Sequence, residues 1–132
     1  MTIQQGILGA IAIAASTAAS AEFELGCVRL DLSSSGAVCA GTLAPVNVMI
    51  ENSCGDTKRV ALTFAMDREP LRAQSASIVP GEERIRKAVM VEIPESIAPG
   101  TRTMTVTARD IEGNSSGTNV RWRVVRCDSV GS

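Results

Sequence analysis

Four cysteines are the residues of this sequence best suited to covalent or metal chemistry. Cys27, Cys39, Cys54 and Cys127 include no pair at the C-x-x-C spacing of zinc sites, and the chain contains no histidine to complete a ligand set. An even number of cysteines in a chain of 132 residues instead indicates two disulfides formed in an oxidising compartment. Free thiols or disulfides between chains are the alternative interpretation.

The order of the expected strands favours one pairing of these cysteines. If the first two long strands run antiparallel around a turn at residues 36–41, the start of the first strand meets the end of the second. This places Cys27 beside Cys54. The final strand of a seven-stranded sandwich ends at the opposite pole and brings Cys127 toward Cys39. We therefore predict the disulfides Cys27–Cys54 and Cys39–Cys127.

Pairs of carboxylates are the remaining candidates for catalysis, because the chain lacks both histidine and tyrosine. Glu82 and Glu83 are adjacent and Asp67 lies two residues before Glu69, but no second motif defines a catalytic pocket around either pair. The loop 110–114 has oxygen-bearing side chains at alternate positions and lacks the downstream bidentate acid of a calcium-binding EF-hand loop. A polar turn is favoured there, with calcium binding as the alternative. The sequence thus predicts a protein with no catalytic residues, no metal site and no cofactor.

Arginines supply a candidate interaction face. The net charge is −1, so no global field favours nucleic acid, and a nucleic-acid partner is not expected. Arg84 and Arg86 alternate along one expected strand, while Arg121, Arg123 and Arg126 lie on the last. These side chains could present a basic face to an acidic partner, although charges that protect exposed strand edges explain them equally well.

The first 21 residues form a separate segment, which carries no charged side chain. An apolar run at residues 6–15 followed by Ala19-Ser-Ala21 is typical of a secretory signal peptide cleaved after Ala21, although the segment lacks the usual basic start. A retained apolar helix or arm is the alternative, since small residues recur every fourth position from Gly6 to Ala18. A membrane span is least favoured because the run is short and rich in alanine. The globular domain is then residues 22–132.

From residue 22 onward, apolar and polar residues alternate at period two between clusters of turn-forming residues, which is the pattern of an all-β sandwich. A change of phase at Gly26 suggests a β-bulge in the first strand. Trp122 shares its parity with Val120 and Val124 and is expected in the core. We predict an immunoglobulin-like antiparallel β-sandwich with an apolar segment before it. Its seven strands are at 23–32, 46–51, 59–66, 77–79, 85–93, 101–109 and 120–126.

Four stretches follow a recurring pattern of strands and turns, namely Pro45–Ser53, Val79–Glu82, Val91–Thr101 and Met104–Ala108. They contain an apolar strand that ends in Asn, a Pro-Gly-Glu turn, and a Pro-Gly turn before a threonine-rich strand. Through them, residues 44–125 resemble bacterial adhesion-type domains of the CARDB and fibronectin-like group, which carry the same features. The resemblance implies a surface-exposed module that spaces, adheres or assembles, and it transfers no catalytic residues.

These observations together predict a non-enzymatic structural or adhesive module of an extracellular assembly. It would act through protein–protein contacts in a homo- or hetero-assembly, made by edge strands or by the N-terminal arm. The expected location is secreted, cell-surface or periplasmic, with membrane contact only if residues 1–21 are retained. A virion decoration or linking protein that keeps its arm is the alternative, and a small carbohydrate-binding module is less favoured.

Overall fold

Nine β-strands make up the regular structure of residues 18–127, the part of the chain that this computed structural model describes. The sequence predicts seven strands, so two are additional. Within this range no residue is helical, and no segment there could cross a membrane as a helix. The strands are β1 (Ala18–Leu25), β2 (Val28–Ser35), β3 (Ala37–Cys39), β4 (Leu43–Asn52), β5 (Lys58–Met66), β6 (Glu69–Val79), β7 (Glu83–Glu92), β8 (Gly100–Asp110) and β9 (Ser115–Val125).

The strands follow the hydrogen-bonded order β1-β2-β4-β7-β6-β5-β8-β9-β3, which curls over into two layers. The first layer is the antiparallel sheet β1-β2-β4-β7. In the second layer, β6, β5, β8 and β9 are antiparallel, and β3 adds a parallel edge to β9. The layers are joined where β6 meets β7 at the single pair Arg72 and Glu92. The predicted all-β, immunoglobulin-like sandwich is confirmed.

The core lies between the layers and is filled by alternate residues of each strand, as the period-two pattern predicts. Small and medium aliphatic side chains dominate it, and Trp122 is the largest fully buried side chain. Its indole Nε1 donates a hydrogen bond of 2.7 Å to Oγ of Ser34 on β2, so the ring joins the two layers. The predicted core position of Trp122 is confirmed.

The predicted bulge at Gly26 is wrong, because the chain turns back there to form a hairpin of β1 and β2. Leu25 and Val28 face each other across the two-residue loop Gly26-Cys27. Gly26 has φ +62°, which suits the first position of a type II′ turn. In this hairpin each odd-numbered residue of β1 faces an even-numbered residue of β2. The buried positions therefore change from odd (Phe23 and Leu25) to even (Val28 and Leu30). This change of parity is the phase change seen in the sequence.

Three other strands differ clearly from the prediction. β9 begins at Ser115 and not at residue 120, because residues 115–119 are polar or glycine and show no apolar alternation. β3 is not predicted at all, because its three residues are too few to show an alternation and it is placed by its parallel pairing with β9. β6 spans eleven residues, whereas the sequence predicts only 77–79. Its inward positions include the buried polar residues Ser75 and Ser77, which weaken the hydrophobic pattern.

The expected boundary at Ala21 lies within β1. Residues 18–21 pair with residues 32–35 of β2, so they extend the first layer. The rest of the apolar segment, residues 1–17, lies outside the described residues, as do residues 128–132. Cleavage after Ala21 stays a prediction, and it would leave Glu22–Leu25 as the remainder of β1.

Candidate interaction surfaces

Two disulfides close opposite poles of the sandwich. Cys27 in the β1–β2 turn pairs with Cys54 after β4, with a Cα–Cα distance of 5.6 Å. Cys39 at the end of β3 pairs with Cys127 after β9, with a Cα–Cα distance of 5.5 Å. This is the same pairing that the sequence predicts, and it leaves no free cysteine in the chain.

Asn52 holds the loops beside the first disulfide. Its side chain is almost fully buried, and Nδ2 donates to the carbonyl oxygens of Asp56 at 2.8 Å, Val79 at 3.0 Å and Pro80 at 3.3 Å. Its Oδ1 accepts a 2.9 Å bond from the backbone N–H of Cys54. Asn52, at the end of β4, therefore holds the two loops together.

The turn at Pro80–Glu82 packs against the loop that Asn52 organises. A Cβ on Gly81 would lie 2.5 Å from the carbonyl oxygen of Gly55, so this contact requires glycine. The backbone N–H of Glu82 donates a 3.0 Å bond to the carbonyl of Cys54. Asn52 and the turn at Pro80–Glu82 thus belong to one structural contact between the loop after β4 and the turn after β6.

The polar loop 110–114 is closed by its own hydrogen bonds. The carboxylate of Asp110 accepts bonds from the backbone N–H groups of Glu112 and Asn114, both at 2.9 Å, and from Nδ2 of Asn114 at 3.0 Å. The side-chain bond from Asn114 is the largest cause of the lowered pKa of Asp110. This arrangement is a polar turn, and residues 18–127 hold no cluster of three side chains able to bind a metal ion.

The acidic pairs that the sequence singles out lie at turns. Asp67 accepts a 3.3 Å bond from the backbone N–H of Thr103, and its carboxylate lies 3.4 Å from Nη1 of Arg102. Glu69, Glu82 and Glu83 are exposed at strand ends. Asp67 and Glu69 therefore lie at a solvent-facing turn, whereas Glu82 and Glu83 line an open surface pocket together with Glu51 and Arg84.

The candidate arginines separate into two surfaces. Arg84 and Arg86 project from β7 on the outer face of the first layer, whereas Arg121 and Arg123 project from β9 on the outer face of the second. Arg126 is exposed just after β9. The structure does not bring the five together, since the core separates the two sets.

Two strand edges of the first layer carry opposite charges. β1 is the terminal strand of the sheet and exposes Glu22 and Glu24 on its outer face, and we call this the acidic edge. β7 exposes Arg84 and Arg86 on the same outer face and pairs with β6 only at Glu92, and we call this the basic edge. Glu22 and Glu24 are not among the predicted interaction residues, although their alternation with Phe23 and Leu25 indicates an exposed charged row.

A row of alternating charge connects these edges across the sheet. Backbone register places Glu24 opposite Arg29 and Glu51 opposite Arg84. Arg29 in turn lies opposite Glu51, and the two side chains approach within 3.1 Å. Arg29 also contacts Glu22 at 2.9 Å. Neighbouring strands of this face thus attract one another through side chains of opposite sign.

Two solved structures, both of proteins from microorganisms, match parts of this chain. The CARDB domain of a Pyrococcus furiosus protein, in complex with di-metal ions, has a TM-score of 0.53 and 11% identity, covering 74% of this chain and 87% of that one. A family 123 glycoside hydrolase from Clostridium perfringens has a TM-score of 0.49 and 10% identity, covering 68% of this chain and 22% of the hydrolase. No protein-family model and no curated protein matches the sequence. The first likeness shows the fold alone, an immunoglobulin-like β-sandwich similar to a CARDB domain.

Proposed function

We propose that this chain is a non-enzymatic interaction module that is exported from the cell and builds an extracellular assembly through protein–protein contacts. One observation carries the proposal. Among residues 18–127, the outer edges of β1 and β7 have little or no strand pairing, and they carry charges of opposite sign. Open strand edges bind extended segments of partner proteins through main-chain hydrogen bonds, with side chains adding specificity.

The use of polar side chains supports the non-enzymatic part of the proposal. The buried polar residues of the described chain are Asn52, Ser75 and Ser77, and Asn52 is committed to loop contacts. Catalytic sites commonly gather titratable groups with shifted pKa values in a cleft. Here the lowered pKa belongs to Asp110, whose carboxylate is bound by its own loop.

The disulfides support export. They join residues separated by 27 and 88 positions, and such bonds persist mainly in oxidising compartments. Each closure typically stabilises a small domain by about 2–4 kcal/mol, largely by restricting the unfolded chain. The predicted signal peptide at residues 1–21 agrees with the same route.

Cell fractionation combined with intact-mass measurement tests this proposal. The full chain, expressed in a bacterium that secretes proteins, is expected in the periplasm or medium with all four cysteines protected from alkylation until reduction. The exported protein should also form complexes with itself or with another exported protein. Recovery of reduced protein from the cytoplasm, or an exported monomer that forms no complex, would contradict the proposal.

A further inference from the structure

We infer that the partner is a second copy of this chain, whose acidic edge β1 pairs antiparallel with the basic edge β7 of the first copy. The inference rests on the proposed function and names the partner and the contact. The first layers of successive copies would then form one continuous sheet. Three features of the described residues support it, namely backbone geometry, charge, and the exclusion of like edges.

The backbone groups of β1 point the right way for such pairing. In an antiparallel sheet, successive residues direct their N–H and C=O groups to opposite sides. The two-residue loop makes Leu25 and Val28 a hydrogen-bonded pair, so Phe23 also bonds to β2. Glu22 and Glu24 therefore direct their backbone groups away from the sheet.

The same alternation can be followed through the register to β7. Because β2 and β4 continue the pattern, Ile85 and Lys87 bond to β4, and Arg84 and Arg86 direct their backbone groups outward. Glu92, which is even-numbered like the two arginines, also directs its backbone groups away from β4, and it pairs there with β6. On both edges, the charged residues of the outer face are among those that direct their backbone groups away from the sheet.

Charge complementarity then sets the register between copies. Antiparallel pairing that places Arg84 opposite Glu24 also places Arg86 opposite Glu22, with all four side chains on the outer face. This extends the charge row of the first layer, in which Arg84 already faces Glu51 from within the molecule. Opposite charges that face each other across strands stabilise a sheet, and like charges destabilise it.

Like edges exclude each other. Pairing β1 with β1 would bring glutamates together, and pairing β7 with β7 would bring arginines together. β7 also carries Lys87 on its inward side, where Nζ donates a 3.1 Å bond to Oγ of Ser77, and inward charges discourage indiscriminate edge pairing. The contact is therefore head to tail, the arrangement that generates rings or filaments.

Charge reversal tests the pairing. One double variant combines Arg84→Glu with Arg86→Glu, and another combines Glu22→Lys with Glu24→Lys. Sedimentation velocity should show that each variant alone associates on the order of tenfold or more weakly than the natural chain, because two attractive pairs become repulsive. An equimolar mixture of the two should associate again, because each then offers the edge that the other needs. The matched control, Arg121→Glu with Arg123→Glu on the second layer, should associate like the natural chain.

Circular dichroism and intact mass first show whether each variant is folded and disulfide-bonded, so that a loss of association can be assigned to the altered charges. A natural chain that stays monomeric at high concentration would overturn the inference, and so would a mixture that fails to regain association. In a chain that retains residues 1–21, association that ignores the reversal but is lost on removing residues 1–17 would overturn the inference and assign the contact to the N-terminal arm. An exported protein that binds other proteins while ignoring the reversal would overturn this pairing and leave the proposed function standing.

Discussion

Asn52 and Asp110 use most of their hydrogen-bonding capacity within the loops beside them. Asn52 fastens the loop after β4 to the turn after β6, and Asp110 closes the loop between β8 and β9. Both residue types are common at turns because their short polar side chains bond to nearby backbone groups. Asp110, which the sequence offers as a candidate calcium ligand, thus serves to close its own loop, as Asn52 serves to hold two loops together.

The carboxyl group of Asp110 provides a test by pH. Its pKa is lowered mainly by the side-chain bond from Asn114, so the folded state favours the ionised form. The resulting stabilisation is present above the pKa of the unfolded chain and is lost as pH falls through the lower pKa of the folded protein. NMR titration should place Asp110 below the ordinary value of 3.8 in the natural chain and closer to that value in Asn114→Ala. An Asp110 that titrates at 3.8 or above in the natural chain would refute the loop geometry, and Ser116→Ala serves as a neighbouring control.

At the scale of strands, the alternation of apolar residues predicts most of the architecture. β4, β5, β7, β8 and β9 are long enough for the period-two pattern to be evident, and the predicted strand at 23–32 covers residues 28–32 of β2. The hairpin at Gly26 was missed because a turn of only two residues leaves no polar gap between apolar runs. β3 and most of β6 were missed because pairing with neighbours forms them where hydrophobic pattern is weak.

The turn between β5 and β6 stores local strain that a single substitution should relieve. Asp67 and Arg68 occupy it with φ +49° and +76°, and a turn with two positive φ values normally takes Asn-Gly. Arg68→Gly should raise the free energy of unfolding by about 0.5–1 kcal/mol, since glycine adopts this conformation without the penalty that other residues incur. Urea denaturation of the disulfide-bonded protein measures the change.

A matched substitution shows whether that gain comes from the turn. Arg59 is also exposed but lies within β5, where positive φ is not found. Arg59→Gly should lower stability, because glycine weakens a strand interior. Equal effects of the two substitutions would contradict the assignment of strain to Arg68.

At the scale of the whole molecule, the sequence predicts the sandwich and the disulfide pairing, but it does not predict the opposite charges on the two edges of the first layer. The pairing of Cys27 with Cys54 follows from the direction of consecutive strands, which the sequence reveals. The opposition of the acidic and basic edges depends on which strands end a sheet, and no local pattern contains that information. For the same reason, the sequence does not show that Arg84 and Arg121 lie on different layers, and therefore on different outer faces.

Amide hydrogen exchange at single-residue resolution tests the edge pairing most directly. In dilute protein, the backbone amides of Glu24, Arg84 and Arg86 should exchange quickly, because they point away from the sheet. At concentrations where the protein associates, these three should become protected together, while Leu25, already bonded to β2, stays protected throughout. Association accompanied by unchanged exchange at all three, or by new protection confined to the second layer, would contradict head-to-tail pairing of β1 with β7.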